Sequence, residues 1–587
     1  MIIKKGIPVS PGVAISRAVV LDAEDVPVPR RTVPAAQVAR QHERLQEALA
    51  KTVKDLEQLR DQAKSSVGAE LARIFDVHLA MLADKHVLDQ FKLLIDNERV
   101  TAEYAVYSVM RQLANVLGQQ QSRLFRDRVS DIWDLERQVL AHLIGSTRTE
   151  LNDLPAEAVL VAHDLTPSQT AGLDTNRVKG IATNAGGRTS HTAILAHSLG
   201  IPAIVGLEDL TSQVAPGDTV IIDGNRGLVI VDPDAAQLLE YRQYSEKIAA
   251  FEDTLGELAT LPAETLDGTK VGLYANIEFP DEVAAALGKG AVGIGLYRTE
   301  FIFLGAETEP NEEQQYDAYV AAIEASGGRP LTIRTLDLGA DKLWGLPNLD
   351  HGERNPFLGC RSIRLCLQNL PLFKNQLRAI LRASVEGPVR IMFPLISNIM
   401  ELRQAKMILN DVMEDLEDEG IPYRQNIPIG IMIEVPSAAL QSGVLAREVD
   451  FFSIGTNDLI QYTVAVDRSN ERIASLYSAA HPSVIQLIKD VVRSANRAKI
   501  DVSLCGEMAS EIDFTMLLLG LGLRSLSITP PAIPEVKKII RSVTMNQCKR
   551  VARKVMTFES DREVLNYLRD EVRRVVPEAY QSRPAEN

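Results

Sequence analysis

A chain of 587 residues exceeds what one hydrophobic core supports, so three or four domains are expected. Its 45% hydrophobic and 24% charged residues belong to an ordinary globular protein. The net charge of −15 argues against nucleic acid or an anionic membrane surface as the main partner. An anionic substrate stays open, because a site needs only a local cluster of arginines. Four cysteines (Cys360, Cys366, Cys505 and Cys548) form no C-x-x-C pair and fit a reducing compartment. The start, MIIKKGIPVSPG, lacks the apolar core of a signal peptide, and no stretch reaches the length of a membrane span. A cytoplasmic protein without membrane insertion is expected.

The first twenty residues set Val and Ile between Gly and Pro punctuation and read as strand and turn. From about 33 to 146 the texture is helical. Leu45, Leu49, Val53, Leu56 and Leu59 recur every three or four residues, and no proline interrupts 35–154. These leucines are read as packing in a helical bundle or long hairpin. From about 155 to 233 the runs AVLVA, GIATNA, TVIIDG and LVIVDP alternate with helical pieces, as in a compact α/β domain. That texture resumes the one of the first twenty residues, so the helical segment is expected to be an insertion. Residues 234–258 read as one charged amphipathic helix, roughly 37 Å long at 1.5 Å per residue. A stiff connector of this kind suggests domains that move relative to each other.

From 270 onward eight strand candidates follow one another with helix-length spacers: VGLYANIE, VGIGLYRTEF, LTIRTLDL, VRIMFPLI, IPIGIMIEVP, DFFSIGTNDL, VSLCGEM and LRSLSIT. Eight βα units predict a (β/α)8 barrel. Asn276, Arg298, Arg334, Asp337, Glu434, Asn457, Asp458 and Cys505 fall near strand C-terminal ends, where a barrel gathers its active site. Arg298, Arg334 and Arg468, aimed at one mouth, would form an anion site, because guanidinium forks match phosphate and carboxylate oxygens. Glu434 and Asp458 end neighbouring strands and suit a hard divalent ion such as Mg²⁺. The competing reading pairs them only with the arginines. Cys505 is either a small buried hydrophobe or a proton donor or nucleophile. GKGAVG, residues 288–293, fits G-x-G-x-x-G but precedes a strand, the wrong context for a dinucleotide loop.

In GGRTSHTAILAHSLGIPAIVG, residues 186–206, Thr189 or Ser190 caps a helix closed by Gly200. His191 then lies in the first helical turn, where free N–H groups and the helix dipole favour bound anions. A metal ligand would want partners at i+3 or i+4, and His197 stands at i+6. A core histidine would not need the glycine-rich entry. An imidazole that carries a phosphoryl group suits the whole pattern.

Together with IRTLDLGADK, NPFLGCRSIRL, IMIEVPSAAL, FFSIGTNDLIQYTVAVDRSN and LCGEMAS, this stretch resembles the enzyme I family of the phosphotransferase system. The resemblance covers nearly the whole chain. It implies a phosphoenolpyruvate–protein phosphotransferase that charges the small carrier protein HPr and releases pyruvate. His191 would be phosphorylated through Nε2, and Thr170 would orient it. Arg298, Arg334, Arg468 and Asn457 would hold phosphate and carboxylate, with Asp458, Lys342 and Arg361 close by. Glu434 and Asp458 would bind Mg²⁺, with Mn²⁺ as the alternative, and Cys505 would protonate the departing enolate.

The resemblance also implies a domain plan. Residues 1–32 and 147–233 would form a swivelling α/β phosphohistidine domain, and 33–146 an inserted helical domain that binds the carrier. Residues 234–262 would be a helical linker, 263–575 a phosphoenolpyruvate-binding TIM barrel that dimerises, and 576–587 a tail. The helical stretch IFDVHLAMLADKHVL is less acidic than the family's usual HPr-binding face. Two alternatives remain at this level. One is the same chemistry feeding a regulatory, nitrogen-type carrier, whose enzyme would add an N-terminal sensory domain. The other is a relative of pyruvate phosphate dikinase or phosphoenolpyruvate synthase, which the absence of a large ATP-binding domain ahead of the histidine disfavours.

Overall fold

The computed structural model describes residues 2–21, 28–66, 69–118, 129–144, 157–165, 177–187, 191–304, 309–339, 355–468, 470 and 472–581. The chain divides into two compact units, residues 1–249 and 250–580.

The first unit is built on an eight-stranded sheet of order β1-β8-β7-β3-β4-β5-β6-β2. Its strands are β1 (Ile2–Lys5), β2 (Ile7–Ser10), β3 (Val13–Leu21), β4 (Ala158–Ala162), β5 (Val178–Thr183), β6 (Ala203–Val205), β7 (Thr219–Asp223) and β8 (Leu228–Val231). The strands β3 to β6 run parallel, and β7, β8, β1 and β2 join antiparallel. β4, AVLVA, is buried along its whole length, as a continuous apolar run demands of a strand covered on both faces. Alternation sends Val159 and Val161 into one core, with Ile204 and Val220, and Leu160 and Ala162 into another, with Ile181 and Ala196.

Five described helices lie between β3 and β4: α1 (Val38–Ser66), α2 (Ala69–Ala83), α3 (Lys85–Glu98), α4 (Ala102–Gly118) and α5 (Val129–Ile144). Because β3 and β4 pair directly, from Arg17 opposite Ala158 to Leu21 opposite Ala162, the helical segment is an insertion between neighbouring strands. Leu45 and Leu56 are buried in its core, and Leu49, Val53 and Leu59 pack against it, so the leucine stripe is a packing face. The helix α6 (His191–Ser198) joins β5 to β6, and α7 (Ala235–Glu257) realises the long helix expected over 234–258.

The second unit contains a closed barrel of eight parallel strands. They are β9 (Gly272–Ile277), β10 (Ile294–Arg298), β11 (Leu331–Arg334), β12 (Val389–Phe393), β13 (Ile429–Ile433), β14 (Phe451–Ile454), β15 (Asp501–Leu504) and β16 (Ser525–Ile528). Each of the eight apolar runs read from the sequence supplies one strand. Residues such as Ile391, Phe393, Ile431, Ile433 and Leu504 enter the large core shared with the helices. Their alternates form a separate small cluster of Leu296, Met392, Met432, Phe451 and Cys505. By strand alternation this cluster fills the barrel's interior and becomes the bed of the site above it.

Candidate active site

Arg298 and Arg334 are the last residues of β10 and β11 and sit opposite each other in the ladder. Glu434 follows β13 directly and Cys505 follows β15. Asn457 and Asp458 lie one step further than the sequence suggested. They occupy the first turn of a helix, Thr456–Val464, that starts after β14. Gly455 makes that turn close: a Cβ there would fall 2.8 Å from Met432 Sδ and 2.9 Å from Glu434 Oε2. Arg361 precedes the helix Ile363–Gln368, and Arg468 follows the helix Thr456–Val464. All of these side chains, with Glu300, Asp337, Phe301 and Phe357, line one cavity of about 440 Å³ over Leu296, Met432 and Cys505. Lys342 and Thr170 lie outside the described residues.

The floor of this cavity is a buried charge network. Arg334 binds Glu300 and, at 2.8 Å, Asp337. Asp337 also meets Arg361 at 3.3 Å, and Arg361 lies 3.8 Å from Asp458. Burial works against the Asp337 carboxylate, but Arg334 and then Arg361 hold its pKa below the usual range. Burial raises Asp458, and Asp337 adds to the shift. Glu434 is pushed well up by burial and then by Asp337 and Asp458. Its Oε1 accepts a 2.6 Å hydrogen bond from the Leu395 N–H, and it has no arginine partner among the described residues. Pairing with arginine therefore accounts for Asp458 but not for Glu434.

Asp337, Glu434 and Asp458 each bring a carboxylate oxygen within 4.8 Å of the other two. An all-oxygen donor set of this kind fits a hard divalent cation. Across the cavity the carboxylates Glu300, Asp337, Glu434, Asp458 and Glu507 outnumber the arginines Arg298, Arg334, Arg361 and Arg468. Arg334 Nε and Arg361 Nε are buried without a hydrogen-bond partner among the described residues, which leaves donors for a ligand.

Cys505 joins the two readings its sequence position left open. It belongs to the apolar cluster beneath the cavity, yet it lines the cavity too. Burial pushes its thiol up to about 11, so it stays protonated at neutral pH, which suits a proton donor and not a thiolate nucleophile. Its backbone is pinned on both sides. The Cys505 N–H donates to the Ile454 carbonyl at 3.0 Å, and Asn276 Nδ2 donates to the Cys505 carbonyl at 3.1 Å. Ser527 Oγ fixes Asn276 in turn, at 2.6 Å.

The rim is more open. Arg298 pairs with Glu278 at 2.9 Å, and Arg468 meets Glu507 at 3.6 Å. Glu300 and Glu507 were not singled out in the sequence, although each follows a named residue by two places, in YRTEF and LCGEM. Asp337, a strand-end polar residue in the sequence, joins the carboxylate cluster that the sequence assigns to Glu434 and Asp458 alone.

In the first unit, His191 is the first residue of α6, so its place in the opening helical turn holds. Gly186 has φ 104°, a left-handed conformation that favours glycine, and a Cβ on Gly187 would meet nothing within 4 Å. Thr192 Oγ1 donates to Asp164 Oδ1 at 3.2 Å and ties the helix start to the loop after β4. The capping residues Thr189 and Ser190 lie outside the described residues.

Three families cover the chain in order: PEP-utilising enzyme, N-terminal, over residues 5–128; PEP-utilising enzyme, mobile domain, over 154–227; and PEP-utilising enzyme, PEP-binding domain, over 252–545. A "phosphoenolpyruvate-protein phosphotransferase" of Geobacillus stearothermophilus is 43% identical over 568 residues, covering 96% of this chain and 97% of that protein. The chain belongs to the phosphoenolpyruvate-protein phosphotransferase family. A second family member with that name, from Staphylococcus carnosus strain TM300, is 40% identical over 569 residues, covering 96% of this chain and 98% of its own. A solution structure of an Enzyme I protein is 38% identical and covers 42% of this chain and 99% of its own, with a TM-score of 0.38. As a phosphoenolpyruvate-protein phosphotransferase the chain is an enzyme, and its multidomain α/β architecture with a closed barrel agrees with the resemblance read from its motifs. Among the described residues no helix is long and apolar enough to cross a membrane.

Proposed function

We propose that this chain takes the phosphoryl group of phosphoenolpyruvate onto His191 and passes it to a histidine of an HPr-like carrier, the first step of sugar phosphotransferase transport. The observation that carries this reading is the barrel mouth, where buried Arg334 and Arg361 stand beside three clustered carboxylates and a protonated thiol. In the first half-reaction the bond from phosphorus to the enol oxygen breaks and a bond from His191 Nε2 to phosphorus forms. The enolate left behind takes a proton on its methylene carbon from the Cys505 thiol and leaves as pyruvate. Arg298, Arg334, Arg361, Arg468 and Asn457 bind and orient the phosphate and carboxylate, together with Lys342. Glu434 and Asp458, with Asp337 beside them, would hold Mg²⁺ or Mn²⁺, which when bound neutralises charge on the phosphate oxygens.

The helix start at His191 supplies backbone N–H groups for the phosphoryl oxygens, and Thr170 orients the imidazole. The carrier would dock on the helical insertion, residues 33–146, and the phosphohistidine domain, residues 1–32 and 147–233, would swivel on the linker 234–262. The barrel, residues 263–575, would dimerise, and the chemistry would run in the cytoplasm.

Incubation with ³²P-phosphoenolpyruvate and Mg²⁺, without ATP, tests the assignment. Wild type is expected to take up an acid-labile label that His191→Ala does not. Equal labelling of both proteins would overturn the role of His191.

A further inference from the structure

The arginines of the mouth hold carboxylates in two different ways, and Glu507 stands apart from the rest. Its partners are Asn457 and Arg468, two of the groups proposed above to bind substrate. The Glu507 backbone N–H donates to Asn457 Oδ1 at 2.9 Å, and Asn457 Nδ2 donates to Glu507 Oε1 at 2.8 Å. The same Oε1 lies 3.6 Å from the Arg468 guanidinium. Because the N–H of Glu507 must face the amide oxygen, the Nδ2 donor is necessarily turned toward the carboxylate. A fixed negative charge therefore sits on the donors that an anionic substrate needs.

Glu507 can also leave. Its side chain is 68% exposed, so swinging into water costs little, whereas Glu300 and Asp337 are buried against Arg334. Its departure would not disorient Asn457, since the bond from the Glu507 backbone to Oδ1 does not use the carboxylate. The turn itself is held apart from the carboxylate. Gly506 packs so closely on the start of the helix Thr456–Val464 that a Cβ there would fall 1.8 Å from Thr456 Oγ1.

Resting on the reading above, we infer that Glu507 is a displaceable internal anion that competes with the substrate for Asn457 and Arg468. It sets the affinity of the mouth for its anionic ligand. On release of the product the carboxylate returns to the same donors.

The test uses the full-length enzyme with Glu507→Gln and Glu507→Ala, measuring KM and kcat for phosphoenolpyruvate and inhibition by inorganic phosphate. Both variants are expected to lower KM and the phosphate inhibition constant by about twofold to fivefold, the scale of an exposed ion pair. The gain is expected to shrink as salt is raised from 0.05 to 0.5 M. A merely structural role would raise KM in Glu507→Ala with rescue in Glu507→Gln, and that result, or an unchanged KM in both, overturns the proposal. Wild type that is not labelled by phosphoenolpyruvate would instead remove the proposed function, and this inference with it.

Discussion

The floor and the rim of the barrel mouth are made of the same residue types and differ in their access to water. On the floor, Arg334 and Arg361 keep 8% and 13% of their side-chain surface exposed, and Asp337 keeps 6%. On the rim, Arg298 and Arg468 keep 31% and 44%, and their partners Glu278 and Glu507 keep 37% and 68%. Charges buried together are bound to one geometry, because removing either partner strands the other in a poor solvent. Exposed pairs are screened and worth little, so they exchange partners readily. The floor can pre-organise a transition state, and the rim can select and release a ligand.

Replacing Arg334 breaks the floor and carries the largest expected effect. Arg334→Ala should lower kcat/KM by about 10³-fold or more and destabilise the fold by about 3–5 kcal/mol, because Glu300 loses its counter-charge and Asp337 keeps only Arg361. Steady-state kinetics and urea unfolding measure the two effects, and a loss below about tenfold would remove Arg334 from catalysis.

Cys505→Ala should leave the KM for phosphoenolpyruvate nearly unchanged while pyruvate formation drops about 10²-fold to 10⁴-fold. In wild type, the thiol raised to about 11 is protonated below that pH. Its alkylation by iodoacetamide should be slow at pH 8 and climb only as pH approaches 11. Fast alkylation at neutral pH would contradict the protonated donor.

Asp337→Asn tests the third carboxylate of the cluster, with an expected loss of about tenfold in Mn²⁺ affinity by electron paramagnetic resonance titration. Unchanged affinity would confine Asp337 to holding arginines. The smallest effect should come from the rim. Arg468→Ala is expected to raise KM about tenfold or less, with no change in melting temperature and a strong dependence on salt. A fall in melting temperature would show that rim and floor are not separable.

The barrel was legible because its strands are apolar runs, most of which end in a polar or charged residue, and all eight runs became strands. What stayed hidden was partnership. Asp337 is three residues from Arg334 in RTLDLG, but Glu300 is a single acid in RTEF, and nothing local says that it closes on Arg334 from the neighbouring strand end. Glu507 is equally silent, since its partners Asn457 and Arg468 stand at the start of the helix Thr456–Val464 and just after its end, far earlier in the chain. Asn457 and Asp458 were placed at a strand end because a polar residue there looks the same as one in the first turn of the next helix. Only the close turn at Gly455 separates the two cases. In the first unit the insertion was readable from strand texture that stops and resumes. The helix start at His191 was readable from its small polar entry and Gly200, whose φ of 65° ends the helix as expected.

The insertion between β3 and β4 also bears on the order in which this protein can assemble. Pairing Arg17–Leu21 with Ala158–Ala162 closes a chain loop that contains every one of the helices α1 to α5. An unfolded loop of that span makes the closure improbable, and its entropic cost grows with the logarithm of its length. Helices form from local contacts and collapse early, drawing Leu21 and Ala158 toward each other before the strands meet. The helical domain is then a folding aid for the sheet that carries His191. Mutations that loosen the core around Leu45 and Leu56 should delay the sheet, and with it the helix that begins at His191, without touching either.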